Sequence, residues 1–121
     1  MKSETINING RDFVPADTLA PQQIASRGGM EYVIIRGDRS GVFAGYMKER
    51  NGREVELVEA RRLWYWDGAA SISQIARDGV SKPNNCKFSA PVNLIVLDAI
   101  EIVPTTKVAQ SCIEEVTAWT E

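Results

Sequence analysis

The chain has 121 residues, of which 44% are hydrophobic and 25% are charged, and its net charge is −2. A chain of this length forms one domain with its own core and needs no metal or disulfide to fold. The slightly acidic total argues against a bulk electrostatic binder of nucleic acid, and no apolar stretch reaches the length of a membrane span.

Two features of the sequence predict a cytoplasmic protein. No apolar run follows Met1, so we expect no signal peptide. Cys86 and Cys112 are the only cysteines. Two distant cysteines in a chain with no export signal are typical of free thiols.

The first 28 residues show little regular pattern, and short apolar groups alternate there with polar residues and prolines. We interpret residues 1–28 as an N-terminal arm. It is either packed on a neighbouring subunit or poorly ordered. Residues 29–121 are interpreted as a single domain.

Residues 32–57 predict antiparallel strands. The run Tyr32–Ile35 is rich in β-branched residues, which indicates a buried strand. A glycine-flanked turn at 37–41 returns the chain into a second strand. Asn51-Gly52 predicts a type I′ turn into a third, alternating strand from Glu54. We interpret Glu59-Ala60 as a bulge that resets the register.

The segment after this bulge combines two arginines with three large rings. Side chains alternate along a strand, so Arg62, Trp64 and Trp66 share one face, and Arg61 and Tyr65 share the other. Whichever face is buried, the other exposes an arginine and a ring. This pairing fits an anionic ligand that carries a ring, and it equally fits the amphipathic edge of a core strand.

Ser71 opens the next predicted element. The pattern Ser71 to Gln74 matches a capping box, and it predicts a short helix from Ile72 to Asp78 that stops at Gly79. The free N–H groups at the start of this helix suit an anion, or only water.

The last third of the chain predicts a loop, strand and helix. The loop at 80–90 contains Asn84 and Asn85, which either stabilise turns or contact a base or ribose. The apolar stretch at 93–103 predicts one long strand or two short ones. A C-terminal helix follows, capped by Thr105 or Thr106. The predicted fold class is therefore α+β: an antiparallel meander or sheet of about five strands, with a short helix and a C-terminal helix.

Several kinds of chemistry have no candidate residues. The sequence contains no histidine, no CxxC pair, no phosphate-binding GxxxxGK[ST] loop and no GxGxxG motif. We therefore expect no enzyme, no metal and no cofactor.

The chain from Tyr32 to about Ile113 resembles a small family of uncharacterised phage and prophage proteins. The specific part of the resemblance is Ala60-Arg61-Arg62-Leu63-Trp64-Tyr65-Trp66 followed by Gly68-Ala69, and Glu59 departs from the usual Asn. Phage proteins of this size include sponges that sequester the nucleotide signals of bacterial immunity, such as the group that counters the Thoeris TIR system. The resemblance implies a non-catalytic homo-oligomer in the host cytoplasm that binds cyclic ADP-ribose isomers or cyclic oligonucleotides.

Under this hypothesis the ligand is a small anionic nucleotide. Arginine side chains would neutralise its phosphates, a ring would stack on its base, and amide or backbone groups would add polar contacts. The candidates are Arg36, Arg61 and Arg62 for phosphate, Trp64, Trp66 or Phe88 for the base, and Asn84 or Asn85 with the backbone at Ala69 to Ser71 for polar contacts.

Two other functions remain open. The same residues suit a nucleic-acid-binding module that grips single strands. They also suit an inhibitor that binds a host protein, since Trp and Arg are enriched at interface hot spots.

Overall fold

A computed structural model describes residues 26–120. Its strands are β1 (Ser26–Arg27), β2 (Met30–Gly37), β3 (Gly41–Asn51), β4 (Glu54–Tyr65), β5 (Lys87–Phe88) and β6 (Val92–Pro104). Its helices are α1 (Ile72–Asp78) and α2 (Lys107–Glu115), with a 3-10 turn at Pro83–Asn85. Every strand pairing is antiparallel. The α+β class and the C-terminal helix are confirmed, with six strands in the sheet. The proposed arm lies outside the described residues except for 26–28.

The sheet closes on itself. β3 pairs with β2 and β4, and β6 also pairs with β2 and β4. β6 reaches both because it is 13 residues long: Val92–Asp98 lies along β4, and Ala99–Pro104 lies along β2. These four strands form a small barrel, where the sequence predicted an antiparallel meander or sheet of about five strands.

Alternation of side chains divides the core into two parts. One part fills the barrel, and it consists of Val33, Ile35, Phe43, Val55, Leu57, Ala60, Leu97 and Ala99. The other lies between the outside of the barrel and the two helices, and it includes Tyr32, Ile34, Tyr46, Leu63, Ile75, Phe88 and Ile113. β2 contributes to both parts, which explains why Tyr32–Ile35 is continuously apolar.

A bulge in β4 sets which side chains face the helices. Tyr46 pairs with Val58 and Ala44 pairs with Arg61, so Gly45 alone lies opposite Glu59 and Ala60. Glu59 has φ +51°, a left-handed conformation. The bulge predicted at Glu59-Ala60 is therefore present. After it, Arg61 and Leu63 point towards the helices.

The turn at residues 51–54 differs from its prediction. Asn51 pairs with Glu54, so the two loop residues are Gly52 and Arg53. Only Gly52 has positive φ, at +63°. This is the pattern of a type II′ turn, which needs glycine at its first central position. The predicted type I′ turn was wrong because β3 continues through Asn51.

One face of the barrel is apolar and open. The outward side chains of Val92, Leu94, Val96 and Ile100 are 45–51% exposed. They alternate with inward residues such as Leu97, as expected for a strand. No described residue covers this apolar stripe. Neither helix of the described chain has the length and apolar character that crossing a bilayer requires.

Candidate functional site: an aromatic groove beside Lys87

The end of β4 presents two rings to solvent. Leu63 pairs with Phe88, and Tyr65 pairs with Lys87, so Trp64 is an extra residue between two adjacent pairs. Such a bulge twists a strand and re-aims its side chains. Trp64 is 60% exposed and Tyr65 is 52% exposed.

The C-terminal segment brings a third ring to the same place. After α2 the chain runs beside β5, where Ala118 forms a parallel bridge with Phe88. The Trp119 amide donates to the Phe88 carbonyl over 2.8 Å. The Lys87 ammonium then lies 5.2 Å from the centroid of the Trp119 ring, a cation–π contact.

An open groove of about 490 Å³ lies between these side chains. It is lined by Trp64, Tyr65, Lys87 and Trp119. We call it the aromatic groove. Three π-surfaces and one ammonium group form its walls, and no carboxylate among residues 26–120 lines it. A flat ring can stack on the aromatic walls while an anionic group meets Lys87.

Arg62 supports one wall of the aromatic groove. Its guanidinium carbon lies 4.4 Å from the centroid of the Phe43 ring and 5.0 Å from that of Trp64. Nη1 donates to the Ser40 carbonyl. Arg62 therefore fixes Trp64 on the barrel side and adds positive charge beside the groove.

Arg61 does not reach the aromatic groove. It is only 3% exposed, and it donates from Nε to the Ser89 carbonyl over 2.6 Å and from Nη1 to the Ile113 carbonyl over 2.7 Å. Burial lowers the pKa of this guanidinium. The expectation that Arg61 neutralises a phosphate is corrected, because its donors face backbone carbonyls inside the protein.

Phe88 and Trp66 were predicted to stack on a base, but both are less accessible to a ligand than Trp64. Phe88 is fully buried in the core beneath the helices. Trp66 is half-buried and packs against that same core. Phe88 is therefore corrected to a core residue, and of the three candidate rings Trp64 alone is strongly exposed.

Arg36 lies elsewhere on the barrel. It is on β2 directly opposite Glu101 of β6, and its Nε donates to that carboxylate over 3.1 Å. Both side chains are about half exposed. Arg36 does not line the aromatic groove.

The start of α1 is capped by its own residues. Ser71 Oγ accepts from the Gln74 amide over 3.2 Å, and Gln74 Oε1 accepts from the Ala70 amide over 2.8 Å. The predicted capping box is present, apart from the Gln74 side chain bonding Ala70 rather than Ser71. Ala69 packs against the part of the core that lies between the barrel and the helices. The expected anion position at Ala69 to Ser71 is thus largely taken by internal hydrogen bonds.

Asn84 and Asn85 lie in the exposed 3-10 turn. Asn85 Nδ2 donates to Asp67 Oδ2 over 3.2 Å, which ties the turn to the segment after β4. Neither asparagine lines the aromatic groove. The contact that Asn85 makes is an internal one, with Asp67.

Sequence reasoning missed three of the four lining residues as ligand contacts. Tyr65 was placed on the face opposite Trp64, and the bulge removes that separation. Trp119 follows α2, which ends at Glu115, and no site residue was predicted in that segment. Lys87 gave no signal beyond its position next to Phe88.

The family described as "Domain of unknown function (DUF6948)" matches residues 30–113. No curated protein and no solved structure matches the chain. The match covers β2 to most of α2, and Trp119 lies beyond it.

Proposed function

The chain belongs to the DUF6948 family, and we propose that it binds a small anionic nucleotide in the aromatic groove without changing it. The observation that carries the proposal is the clustering of Trp64, Tyr65 and Trp119 around one ammonium group. Exposed rings that lie side by side form an apolar patch, and large exposed apolar patches mark binding sites.

The groove supplies both parts of nucleotide recognition. A base that stacks on an exposed indole gains about 1–3 kcal/mol. Lys87 meets the phosphate as a point charge, and Arg62 adds to the local positive field. Binding uses all four lining residues and requires no proton transfer.

The biological part of the proposal rests on the resemblance to phage proteins. We propose that the protein sequesters cyclic nucleotide signals of bacterial immunity, such as cyclic ADP-ribose isomers or cyclic oligonucleotides, in the host cytoplasm. A protein that holds a signal intact lowers its free concentration in proportion to the number of sites. An open groove that binds the nucleotide without changing it suits this role.

We also propose that the protein acts as a homo-oligomer in which a second copy covers the apolar stripe on β6. The stripe is long and free of charge from Val92 to Val96, which is the composition of an interface centre. Sedimentation should show Leu94→Glu shifted to the monomer. The matched control is Val108→Glu, which changes an exposed valine on α2 and should leave the assembly intact. A wild-type monomer at high micromolar concentration would overturn the oligomer.

The proposal of nucleotide binding is tested by extraction. The purified protein is incubated with a mixture of cyclic ADP-ribose isomers and cyclic oligonucleotides, washed and denatured, and the released ligand is identified by mass spectrometry. Intact nucleotide supports sequestration. Recovery of no nucleotide overturns binding, and recovery of a cleaved product overturns the non-catalytic role.

Variants then locate the site. Trp64→Ala should weaken binding about tenfold or more, because one stacking surface is lost. Lys87→Met keeps the aliphatic stem and should weaken binding most at low salt. Arg36→Gln is the control, because Arg36 lies outside the groove and pairs with Glu101. Unchanged affinity in both Trp64→Ala and Lys87→Met would place the ligand elsewhere.

A second candidate function is single-stranded nucleic-acid binding, favoured by the two exposed rings next to each other at the end of β4. Affinity that grows with oligonucleotide length and falls steeply with salt would support it over a single nucleotide. The third reading, an inhibitor of a host protein, predicts a stable host partner after purification and no released nucleotide.

A further inference from the structure

Arg61 is a buried charge with an unusual set of partners. Within residues 26–120 it makes no ion pair with a carboxylate. Within the same range its side-chain hydrogen bonds all go to backbone carbonyls: Ser89 at 2.6 Å, Ile113 at 2.7 Å and Phe88 at 3.4 Å. A planar guanidinium carries five donors in a fixed fork and can reach carbonyls at separate positions, whereas a lysine ammonium concentrates its three donors on one atom.

These carbonyls belong to two different parts of the fold. Ser89 and Phe88 lie at β5, whereas Ile113 lies in the last turn of α2. The last carbonyls of a helix carry partial negative charge and lack helical partners. Arg61 therefore joins the C-terminal end of α2 to β5.

Two of the carbonyls also anchor the C-terminal segment. The Ile113 carbonyl accepts from the Val116 amide over 3.3 Å, and the Phe88 carbonyl accepts from the Trp119 amide over 2.8 Å. The guanidinium of Arg61 thus contacts the acceptor at each end of the segment 116–119. That segment carries one wall of the aromatic groove.

We propose that Arg61 is the positioning residue of the aromatic groove: it fixes the carbonyls that hold Trp119 against Lys87. The role in binding rests on the nucleotide-binding function proposed above. The contacts of Arg61 with the Ile113 and Phe88 carbonyls, which we call the clamp, do not depend on that function. They are a property of the unliganded protein. Loss of the guanidinium releases the segment 116–119, so the groove loses its third ring.

The first experiment needs no ligand. Hydrogen exchange is measured on wild type, Arg61→Lys and a control, Val55→Ala, which weakens the interior of the barrel far from the segment. Arg61→Lys should speed exchange of the Trp119 amide at least tenfold more than that of the Ala44 amide. Val55→Ala should show no such preference for Trp119. Equal acceleration of both amides in Arg61→Lys would overturn the clamp.

The second experiment uses AMP as the probe, since it offers one base and one phosphate. Under conditions in which all variants are folded, Arg61→Lys should weaken AMP binding at least fivefold, and Val55→Ala should not. Unchanged affinity in Arg61→Lys would overturn the positioning role. If wild type itself binds no AMP or cyclic nucleotide, the function fails while the exchange result still decides the clamp.

Wild-type protein provides a test if Arg61→Lys does not fold. The clamp requires the Arg61 guanidinium protons and the Val116 and Trp119 amides to open together in native-state exchange. A common opening constant for all three supports it. Exchange of Trp119 more than a hundredfold faster than the Arg61 protons would overturn it.

Discussion

Tyr32 contains a polar group that the fold does not satisfy. Its side chain is 0% exposed, and its hydroxyl has no hydrogen-bond partner in the described part of the chain. The ring packs edge-on against Tyr46, with centroids 4.8 Å apart and planes at 72°. Tyr32→Phe keeps this ring and removes only the hydroxyl, so it isolates the cost of the unpaired group.

At pH 7, Tyr32→Phe should raise the free energy of unfolding by about 1 kcal/mol. A buried polar group without a partner costs about 1–3 kcal/mol, and the small void left by one oxygen offsets part of the gain. Burial also raises the pKa of Tyr32 above its ordinary value. The unfolded chain therefore loses this proton first, near pH 10, while the folded protein keeps it.

Above about pH 10 the unfolded state binds fewer protons than the folded state, so the free energy of unfolding falls by about 1.4 kcal/mol per pH unit for this group. Tyr32→Phe lacks this loss. Its advantage over wild type should grow from about 1 kcal/mol at pH 7 to about 2 kcal/mol at pH 11.

Urea unfolding followed by tryptophan fluorescence measures both values. Tyr46→Phe is the matched control, because the Tyr46 hydroxyl accepts from Gln110 at 2.7 Å and donates to Glu114 at 3.0 Å. That variant should lose about 1 kcal/mol at pH 7. If Tyr32→Phe is also destabilised by 1 kcal/mol or more, the Tyr32 hydroxyl has a partner and the reasoning is refuted.

Three further changes test local features of the fold by urea unfolding. Gly45→Ala should destabilise the protein by about 1–3 kcal/mol, since an added Cβ would lie 3.0 Å from the Ala60 Cα; an unchanged midpoint would mean that the bulge can relax. Ser71→Ala removes the cap of α1 and should cost about 1 kcal/mol, whereas Ser71→Asn should restore most of it. Arg53→Gln breaks exposed pairs with Asp38 and Asp98, both at 3.3 Å, and should cost less than about 1 kcal/mol, with the difference shrinking at 1 M salt.

Local signals in the sequence predicted the local parts of the fold. The helix starting after Ser71, the end at Gly79 and the bulge at Glu59 each depend on a few adjacent residues, and each is present. Closure of the barrel depends on something else. β6 divides its length between β4 and β2, and no short pattern in Val92–Pro104 specifies two different partners.

The site was less predictable than the fold, because it also depends on contacts between residues that are far apart in the sequence. Alternation showed that Arg61 and Arg62 face opposite ways, but it could not show which face α1 and α2 would cover. Lys87 and Trp119 enter the groove through the Phe88 backbone, which pairs with β4 on one side and with the C-terminal segment on the other. Contacts between residues this distant in the sequence are not marked by any local sequence pattern, so they could not be predicted from it.

The two adjacent arginines acquire separate tasks from this arrangement. Arg62 lies between the Phe43 and Trp64 rings and fixes the barrel-side wall of the groove. Arg61 points the other way and fixes the wall that carries Trp119, through carbonyls of β5 and α2. A strand is the only element that sends neighbouring side chains to opposite faces, so one Arg-Arg pair can hold both walls. Arg62→Lys should therefore loosen Trp64 and leave exchange of the Trp119 amide unchanged, whereas Arg61→Lys should do the reverse. If either change loosened both walls equally, the groove would be one cooperative unit and the division of tasks between the arginines would fail.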